Sequence, residues 1–363
     1  MHTRDELGGA LGASTGRRGT GCAGRPAGRR SGRARWALIV AAACAPFLAG
    51  CGRQSTLDPE SPASHDISVL WWWMMVAAWV VLAGAVALLG IGWLRRRREG
   101  LPIVGKDESL SVGLVVTFGM VIPIIALVAL FVVANFTVAS VTDAPAARTT
   151  SMTVHVTGRQ WFWDVSYPGT TAVTANEIHI PVRTRINLIA TTGDVIHSFW
   201  VPQLQRKVDM IPGRRNRILL YADKPGRYRG QCAELCGLQH AHMAMQVVAE
   251  PQPAFRAWLA NMARPRRTPV TAAERRGEQV FLNNQCASCH TIRGTTARGD
   301  VGPDLTHLAT RATLAADTIP NRKGYLGGWV LDPQHVKPGN KMPGLNLNGP
   351  DFQALLSYLQ SLK

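Results

Sequence analysis

The hydropathy pattern of the chain is dominated by two long apolar runs without a charged residue, at 67–94 and 110–140. Each run is longer than the roughly 20 residues that a helix needs to cross a bilayer. Four arginines, 95–98, and Lys106 lie between the runs, and such a basic loop favours the cytoplasmic side of a membrane. The pattern therefore predicts a two-helix transmembrane hairpin that leaves the rest of the chain on the extracytoplasmic side. Pro123 in the second run predicts a kink.

The region 149–250 has a different pattern, in which short runs rich in β-branched residues alternate with Pro-Gly and Thr-Gly turn signals. Several strands at this spacing predict a small β-sandwich or barrel. The segment 251–270 is rich in Pro and Arg, contains an amphipathic piece at 255–262, and is interpreted as a linker. From 271 to 363 the pattern is helical at both ends around an irregular middle rich in Gly and Pro, which predicts a separate all-α domain.

The first 50 residues have the features of an export signal. Arginines precede an apolar stretch, 36–48, that is too short to span a bilayer. The tetrad Leu-Ala-Gly-Cys that ends at Cys51 resembles the lipobox of bacterial lipoproteins, in which the cysteine is lipidated and becomes N-terminal after cleavage. We therefore expect residues 1–50 to be removed as a signal peptide, together with Cys22 and Cys44.

The formal net charge of +17 suggests, by itself, an anionic membrane surface or a nucleic acid as partner. Many of the arginines fall in the leader and in the cluster 95–98, and neither is a basic face interleaved with aromatic residues. The sequence therefore predicts a membrane and no nucleic acid as partner.

Four metal-ligating side chains occur within twelve positions in the second half of the β-rich region: Cys232, Cys236, His240 and Met243. His197 lies at the end of a strand-like run further upstream. Soft sulfur ligands together with imidazole select copper or zinc over hard cations. A methionine is unusual at a structural zinc site, and a disulfide between the two cysteines is the alternative that an oxidising compartment allows.

These residues stand in two segments, DVIHSFW at 194–200 and GQCAELCGLQHAHMA at 230–244, that resemble subunit II of the haem–copper cytochrome c oxidases. The resemblance extends over about 67–250 and implies a cupredoxin-like β-sandwich or barrel with a binuclear copper centre, CuA. Two bridging thiolates would share one electron between the two coppers. The ligands implied by the resemblance are the side chains of His197, Cys232, Cys236, His240 and Met243 and the backbone carbonyl of Glu234.

The resemblance implies two further roles in the copper region. The carboxylate of Glu234 would bind a magnesium ion at the boundary with subunit I. Trp161, in the aromatic segment Gln-Trp-Phe-Trp at 160–163, would be the residue that accepts electrons for CuA; aromatic packing on a β-sandwich is the other interpretation. Quinol oxidases share the fold without the copper ligands, so the ligand set argues against quinol as the donor.

The pentapeptide Cys286-Ala-Ser-Cys289-His290 is the signature of covalent c-type haem attachment. With Pro303 and Met342 downstream, it resembles a class I cytochrome c, which implies His290 and Met342 as the axial iron ligands. A His/Met pair raises the reduction potential of the haem. The same resemblance implies a helix-crossing contact formed by Gly277, Phe281 and Tyr358. A redox-active dithiol is the other interpretation of the two cysteines.

The fusion of a CuA subunit to a C-terminal cytochrome c domain resembles the caa3 type of cytochrome c oxidase. It implies a multi-pass protein of the cell membrane that associates with subunits I and III. Electrons from a small cytochrome c or a bc1-type complex would reduce haem c and pass to CuA and then to haem a in subunit I. Oxygen would be reduced to water there, coupled to proton translocation. A linker of roughly 20 residues would hold the two domains at a millimolar-scale effective concentration.

The β-rich region carries more Arg and Lys than acidic residues, whereas oxidases that dock basic cytochromes present acids near the copper. We therefore hypothesise that an external cationic cytochrome is a poor direct reductant of CuA. Many relatives also place a Glu at the mouth of a proton channel, where the second transmembrane helix begins; Glu108 is the nearest acid here.

Three other functions remain open at this point. They are a nitric-oxide reductase that uses a CuA subunit, a free-standing electron-transfer lipoprotein, and a copper chaperone for oxidase assembly. The identity of the catalytic partner subunit would distinguish a nitric-oxide reductase. Co-purification with an oxidase would distinguish a subunit of that complex from a free-standing lipoprotein. Chaperones of this kind carry a CxxxC motif without the complete ligand set or a haem domain.

Overall fold

The computed structural model describes residues 54–96, 108–142 and 149–363. The predicted signal peptide 1–50, the lipobox residue Cys51 and most of the basic loop, 97–107, lie outside the described residues. The described chain contains two apolar helices, a two-sheet β-domain and a C-terminal helical domain.

Within the described ranges, two helices are long and apolar enough to cross a membrane, over Pro62–Leu94 and Val112–Thr142. The first belongs to α1 (Pro62–Arg96), which begins before the predicted apolar run. Pro is favoured at the first position of a helix, and the Ser61 hydroxyl accepts a hydrogen bond from the backbone N–H of Ser64, as an N-cap does. The same hydroxyl donates to the carbonyl of Leu204 in the β-domain. The first turn of α1 is therefore attached to the β-domain.

The second apolar segment is interrupted where Pro123 predicts a kink. It consists of α2 (Glu108–Val116), a π-helical turn (Thr117–Val121) and α3 (Ile122–Thr142). Proline lacks the N–H that would bond to the preceding turn, and its ring crowds the carbonyl four residues earlier. A widened turn directly before Pro123 accommodates both effects.

The β-domain is built from two five-stranded sheets. The first has the strand order β3-β2-β1-β5-β8 and the second β4-β10-β9-β6-β7. Two of the strand pairs are parallel, β1 with β5 and β4 with β10, and the others are antiparallel. The strands are β1 (Met152–Arg159), β2 (Phe162–Ser166), β3 (Val173–Ala175), β4 (Glu177–Pro181), β5 (Ile186–Thr192), β6 (His197–Trp200), β7 (Val208–Met210), β8 (Asn216–Leu220), β9 (Gly226–Cys232) and β10 (Ala244–Glu250).

Side chains alternate between a buried and a less buried position along β1, β2 and β9, as expected for sheets with one face in a core. Trp163 from the first sheet meets Phe199 from the second edge to face, with ring centroids 6.1 Å apart. The predicted β-sandwich is confirmed.

The segment predicted as a linker contains a helix, α4 (Gln252–Met262), that packs on the β-domain. Its apolar residues recur at helical spacing, and Phe255 and Met262 are buried in the core of that domain. Trp258 stacks on His179 with ring centroids 3.9 Å apart. The first half of this segment is therefore an integral part of the β-domain, and only the residues after Met262 connect it to the helical domain.

His179 lies between two carboxylates beneath α4. Its imidazole nitrogens are 3.6 Å from Glu177 and 3.2 Å from Glu250. Burial disfavours the charged imidazole, but the two carboxylates outweigh that effect and raise the pKa of His179. The charged form is therefore more stable in the folded than in the unfolded chain.

The C-terminal domain, 271–363, is helical with one short hairpin in its middle. A capping box between Thr271 and Glu274 starts its first helix. Its elements are α5 (Ala272–Asn283), α6 (Cys286–Cys289), β11 (Thr313–Leu314), β12 (Ile319–Pro320), α7 (Lys323–Leu331), α8 (Pro333–Val336) and α9 (Gly349–Ser361).

The predicted crossing of the first and last helices is present. Phe281 on α5 meets Tyr358 on α9 with ring centroids 6.1 Å apart. A Cβ at Gly277 would lie 2.0 Å from the carbonyl oxygen of Ala354, so the two helices approach each other closely only because residue 277 has no side chain.

We predict that Gly277→Ala destabilises the helical domain by at least about 2 kcal/mol, because its methyl group overlaps backbone atoms that cannot move aside. Gly328→Ala is the control: it lies inside α7 with nothing within 4 Å of the added Cβ, and it should be neutral or stabilising. Thermal unfolding, monitored through the haem absorbance, measures the stability of both variants. Equal stability of the two variants would contradict the predicted overlap.

We also predict that His179 makes stability depend on pH. The contribution of His179 to the free energy of unfolding is complete below its pKa in the unfolded chain, about 6.5. It is lost as the pH rises through the higher pKa of the folded chain. Stability should therefore fall between about pH 6 and pH 8 more steeply in the unsubstituted chain than in His179→Gln. Thermal unfolding across this range tests it, with a substitution of the exposed His335 to Gln as control.

Candidate copper and haem sites

All the copper-ligand candidates converge at one end of the β-domain. His197 begins β6 and Cys232 ends β9, which are neighbouring strands of the second sheet. The loop that follows β9, 232–243 (the copper loop), brings the remaining candidates, Cys236, His240 and Met243, back to these strand ends.

The donor atoms of these side chains are close to one another. The two cysteine Sγ atoms are 3.7 Å apart. Cys232 Sγ is 3.8 Å from His197 Nδ1 and 3.2 Å from the carbonyl oxygen of Glu234. Cys236 Sγ is 3.6 Å from His240 Nδ1 and 3.8 Å from Met243 Sδ.

This donor set fits a binuclear copper centre. Ligands that share one tetrahedral ion at bonds of roughly 2.0–2.3 Å lie about 3.5 Å apart, close to the separations seen here. Both cysteines are free thiols, and the hydrogen bond from the Cys236 thiol lowers the pKa of Cys232. Thiolates, imidazoles and a thioether are the ligands that copper prefers. Among the described residues, His197, Cys232 and Cys236 form a buried metal-binding cluster.

A carboxylate that sequence reasoning missed orients one of the ligands. Asp194 Oδ1 lies 2.9 Å from His197 Nε2 and accepts a hydrogen bond from its N–H. Nδ1 then carries no proton and is free to face Cys232. Asp194 also accepts the backbone N–H of Gln160 at 2.7 Å. Its position three residues before His197 is the signal that could have identified it.

A glycine makes room for the same imidazole. A Cβ at Gly158 on β1 would lie 2.8 Å from His197 Cδ2, so a side chain there would displace the ring. Nothing in the local sequence marks Gly158, because the contact joins residues on opposite sheets.

Trp161 stands next to the copper loop. Its indole Nε1 donates to the carbonyl oxygen of Cys236 at 3.0 Å, and Gln160 Nε2 donates to the same oxygen at 2.8 Å. Residues 160–161 form the turn between β1 and β2, which we call the aromatic turn. In the copper loop itself, Glu234 is half-buried and His242 is exposed.

The four haem-ligand candidates line one cavity in the helical domain: Cys286, Cys289, His290 and Met342. His290 Nδ1 lies 2.8 Å from the carbonyl oxygen of Pro303, so this nitrogen donates and Nε2 is left free for iron. Burial lowers the pKa of His290, which favours the neutral form that a metal needs. A Cβ at Gly302 would lie 2.5 Å from the imidazole, and this glycine therefore lets the loop before Pro303 pass close to the ring.

The same cavity contains polar atoms suited to haem carboxylates. Arg311 is 6% exposed, and its Nε, like the Oγ1 of Thr313, is buried without a hydrogen-bond partner. Both residues line the cavity. Buried unpaired donors are costly, and a haem propionate would satisfy them. The residues present fit a covalently bound haem c.

Part of the cavity wall comes from the β-domain. The aromatic turn, with Phe162 and Asn176, lines the cavity together with residues of the helical domain. Hydrogen bonds join the two domains around it: Arg229 contacts Asp317 at 3.2 Å, and Glu177 accepts the backbone N–H of Ala312 at 2.9 Å. Arg229 is one of the basic residues of the β-rich region, and the structure pairs it with an acid of the helical domain.

Comparisons with known proteins agree with this architecture. The family model of cytochrome c oxidase subunit II, periplasmic domain, matches residues 171–250, and the cytochrome c model matches 274–363. Cytochrome c oxidase subunit 2 of Alkalihalophilus pseudofirmus is 33% identical over 87% of this chain and 94% of that protein. The corresponding protein of Bacillus sp. strain PS3 is 32% identical over the same shares. The crystal structure of the periplasmic domain of subunit II from Bradyrhizobium japonicum is 32% identical, with a TM-score of 0.31, over 33% of this chain and 96% of that one.

The chain belongs to the cytochrome c oxidase subunit 2 family. Within that family it is of the caa3 type, in which the copper-binding domain is followed by a cytochrome c domain on the same chain. It is therefore a membrane-bound component of a haem–copper oxidase complex.

We predict that Asp194→Asn lowers copper affinity by about 10- to 100-fold without unfolding the β-domain, because the amide no longer holds the His197 tautomer and ring as a carboxylate does. Asp209→Asn, at an exposed position on β7, is the control. Copper retained after dialysis against a chelator, together with the copper EPR signal, measures the effect. Equal retention in both variants would show that Asp194 does not support the ligand.

Proposed function

We propose that this chain receives electrons for the oxidase at a covalent haem c and passes them to CuA and then to haem a in subunit I. Oxygen is reduced to water there, coupled to proton translocation. Haem c and CuA each supply a reversible one-electron couple; the chain's own residues hold, separate and connect them.

In this proposal Cys286 and Cys289 attach the haem, and His290 and Met342 are its axial ligands. CuA is held by the converging donors of the copper loop and β6. The bond from His290 to Pro303 and the bond from His197 to Asp194 fix the ring orientation of one ligand at each site. The six CuA donors are His197, Cys232, the carbonyl of Glu234, Cys236, His240 and Met243.

The observation that carries the proposal is the position of Trp161. Trp161 is one of the residues that line the haem cavity, and its indole N–H donates to the backbone of a copper-ligand candidate, Cys236. One residue thus contacts both sites, and we propose that electrons reach CuA through it. The aromatic-packing interpretation does not account for the bond to the copper loop.

The proposal also includes the partner subunits, the electron donor, the membrane side, the magnesium site, the proton channel and the lipidation site. Subunits I and III are the expected partners, a small cytochrome c or a bc1-type complex is the expected donor, and both domains face the extracytoplasmic side. Glu234 would bind magnesium at the boundary with subunit I. Glu108, the first residue of α2, remains the candidate for the mouth of the proton channel, and Cys51 remains the candidate for lipidation.

We predict that Trp161→Phe slows electron transfer from haem c to CuA by at least about tenfold, because the indole N–H that fixes the ring on Cys236 is lost and misplacement of reacting groups is costly. Trp258→Phe, on α4 and away from both sites, should leave the rate unchanged. Photochemical reduction of haem c in the complete oxidase, followed at the haem and copper absorption bands, measures it. An unchanged rate in Trp161→Phe, with both spectra intact, would exclude this route.

A further inference from the structure

Lys337 is a buried lysine at the boundary between the two domains. It is only 3% exposed, although lysine is among the residues least often buried. Its Nζ lies 2.8 Å from the carbonyl oxygen of Trp161, 2.9 Å from that of His242 and 3.3 Å from that of Ala315. The three N–H donors of the ammonium form therefore each have a carbonyl acceptor, and burial lowers the pKa of Lys337 to about 7.

The three acceptors belong to different parts of the molecule. Trp161 is in the aromatic turn, His242 is in the copper loop, and Ala315 is in the hairpin connection of the helical domain. A single side chain thus joins the proposed electron-transfer residue, the copper site and the helical domain. A neutral side chain with fewer donors could not bond to all three segments.

The backbone of Lys337 is connected to the loop that carries Met342. Asn340 Nδ2 donates to the carbonyl of Lys337 at 2.6 Å, and Asn340 Oδ1 accepts the backbone N–H of Met342 at 2.7 Å. The bonds of Asn340 therefore fix the Met342 loop relative to Lys337. Lys337 in turn fixes this loop relative to Trp161.

Net charge does not bring the two domains together. Both 149–250 and 271–363 contain more basic than acidic residues, so at long range they repel each other. Specific short-range bonds have to hold them, and Lys337 makes two of these bonds, to Trp161 and to His242. The neighbouring bond from Gln239 Nε2 to the Pro338 carbonyl, 2.7 Å long, joins the same two loops.

We propose that Lys337 is the positioning residue that fixes the Met342 loop of the haem site against Trp161 and the copper loop, and so sets the rate of electron transfer between haem c and CuA. This inference rests on the proposed function, since it assumes that electrons pass between these two sites. In the free chain the arrangement is already formed, and no docking step precedes the transfer.

The test uses the complete oxidase with Lys337→Met, in which the apolar side chain keeps much of the volume but donates no hydrogen bond. Haem c is reduced photochemically, and its reoxidation is followed together with copper reduction. The rate should fall by at least about tenfold, while the haem spectrum, the copper EPR signal and both midpoint potentials stay as in the unsubstituted complex. Lys337→Gln retains two N–H donors on a shorter side chain and should slow transfer to an intermediate extent; it serves as the test if Lys337→Met does not assemble.

Two control variants separate the positioning role of Lys337 from two other effects of its substitution. These are the loss of a positive charge and a general weakening of the contact between the two domains. Lys323→Met removes an exposed positive charge from α7 and should leave the rate within about twofold. Asp317→Asn removes the ion pair with Arg229 at another part of the same boundary. Asn tolerates the left-handed backbone of residue 317, where φ is 61°, so this variant should also stay within about twofold.

Three results would overturn the inference. They are an unchanged rate in both Lys337 variants, equal slowing in Asp317→Asn, and slowing that a shift in midpoint potential accounts for completely. A lack of haem-to-copper transfer in the unsubstituted complex would instead overturn the proposed function, and this inference with it. The two failures are therefore distinguishable.

Discussion

The backbone carbonyl of Cys236 accepts hydrogen bonds from Gln160 and Trp161, and these two bonds attach the copper loop to the wall of the haem cavity. The backbone N–H of Gln160 in turn bonds to Asp194, which holds the imidazole of His197. The ligand side chains, the aromatic turn and the cavity are thus connected by a continuous set of hydrogen bonds. A change at any one of them displaces its neighbours, because each bond shares a residue with the next.

A separate set of bonds at the domain boundary fixes the relation between the two domains. A flexible linker between two basic domains would leave them apart for part of the time. Here α4 is integrated into the β-domain, and buried polar contacts cover the boundary, from Glu177 and Arg229 on one side to Asp317 and Lys337 on the other. The two domains are therefore preorganised relative to each other. The entropy that two separate proteins lose when they associate is here lost when the chain folds.

The sequence predicted the two apolar helices, the β-sandwich, the helical domain and the residues that gather at each site. The predictions of the fold succeeded because the hydropathy period and the turn residues are local properties of the chain. The close spacing of Cys232, Cys236 and His290 with their neighbours is local too, and the structure brings these candidates together, while their roles stay predictions. The contributions of Gly158 and Lys337 were not foreseen, because each depends on a contact between segments far apart in sequence. The packing of α4 was missed for a related reason: its Pro and Arg content indicated a linker, whereas the burial of Phe255 and Trp258 against the β-domain outweighed that local signal.

The position of Trp161 at the boundary has a kinetic consequence for the complex. Under the proposed route, transfer from haem to copper is a first-order event within one chain, so its rate does not depend on the concentration of any carrier. The hydrogen bonds of Trp161 are partly buried, so salt screens them less than it screens contacts at the surface. The dependence of respiration on ionic strength would then report only on the encounter between an outside donor and the helical domain. An oxidase with a separate cytochrome, by contrast, has two salt-sensitive encounters in series, one to load the carrier and one to unload it.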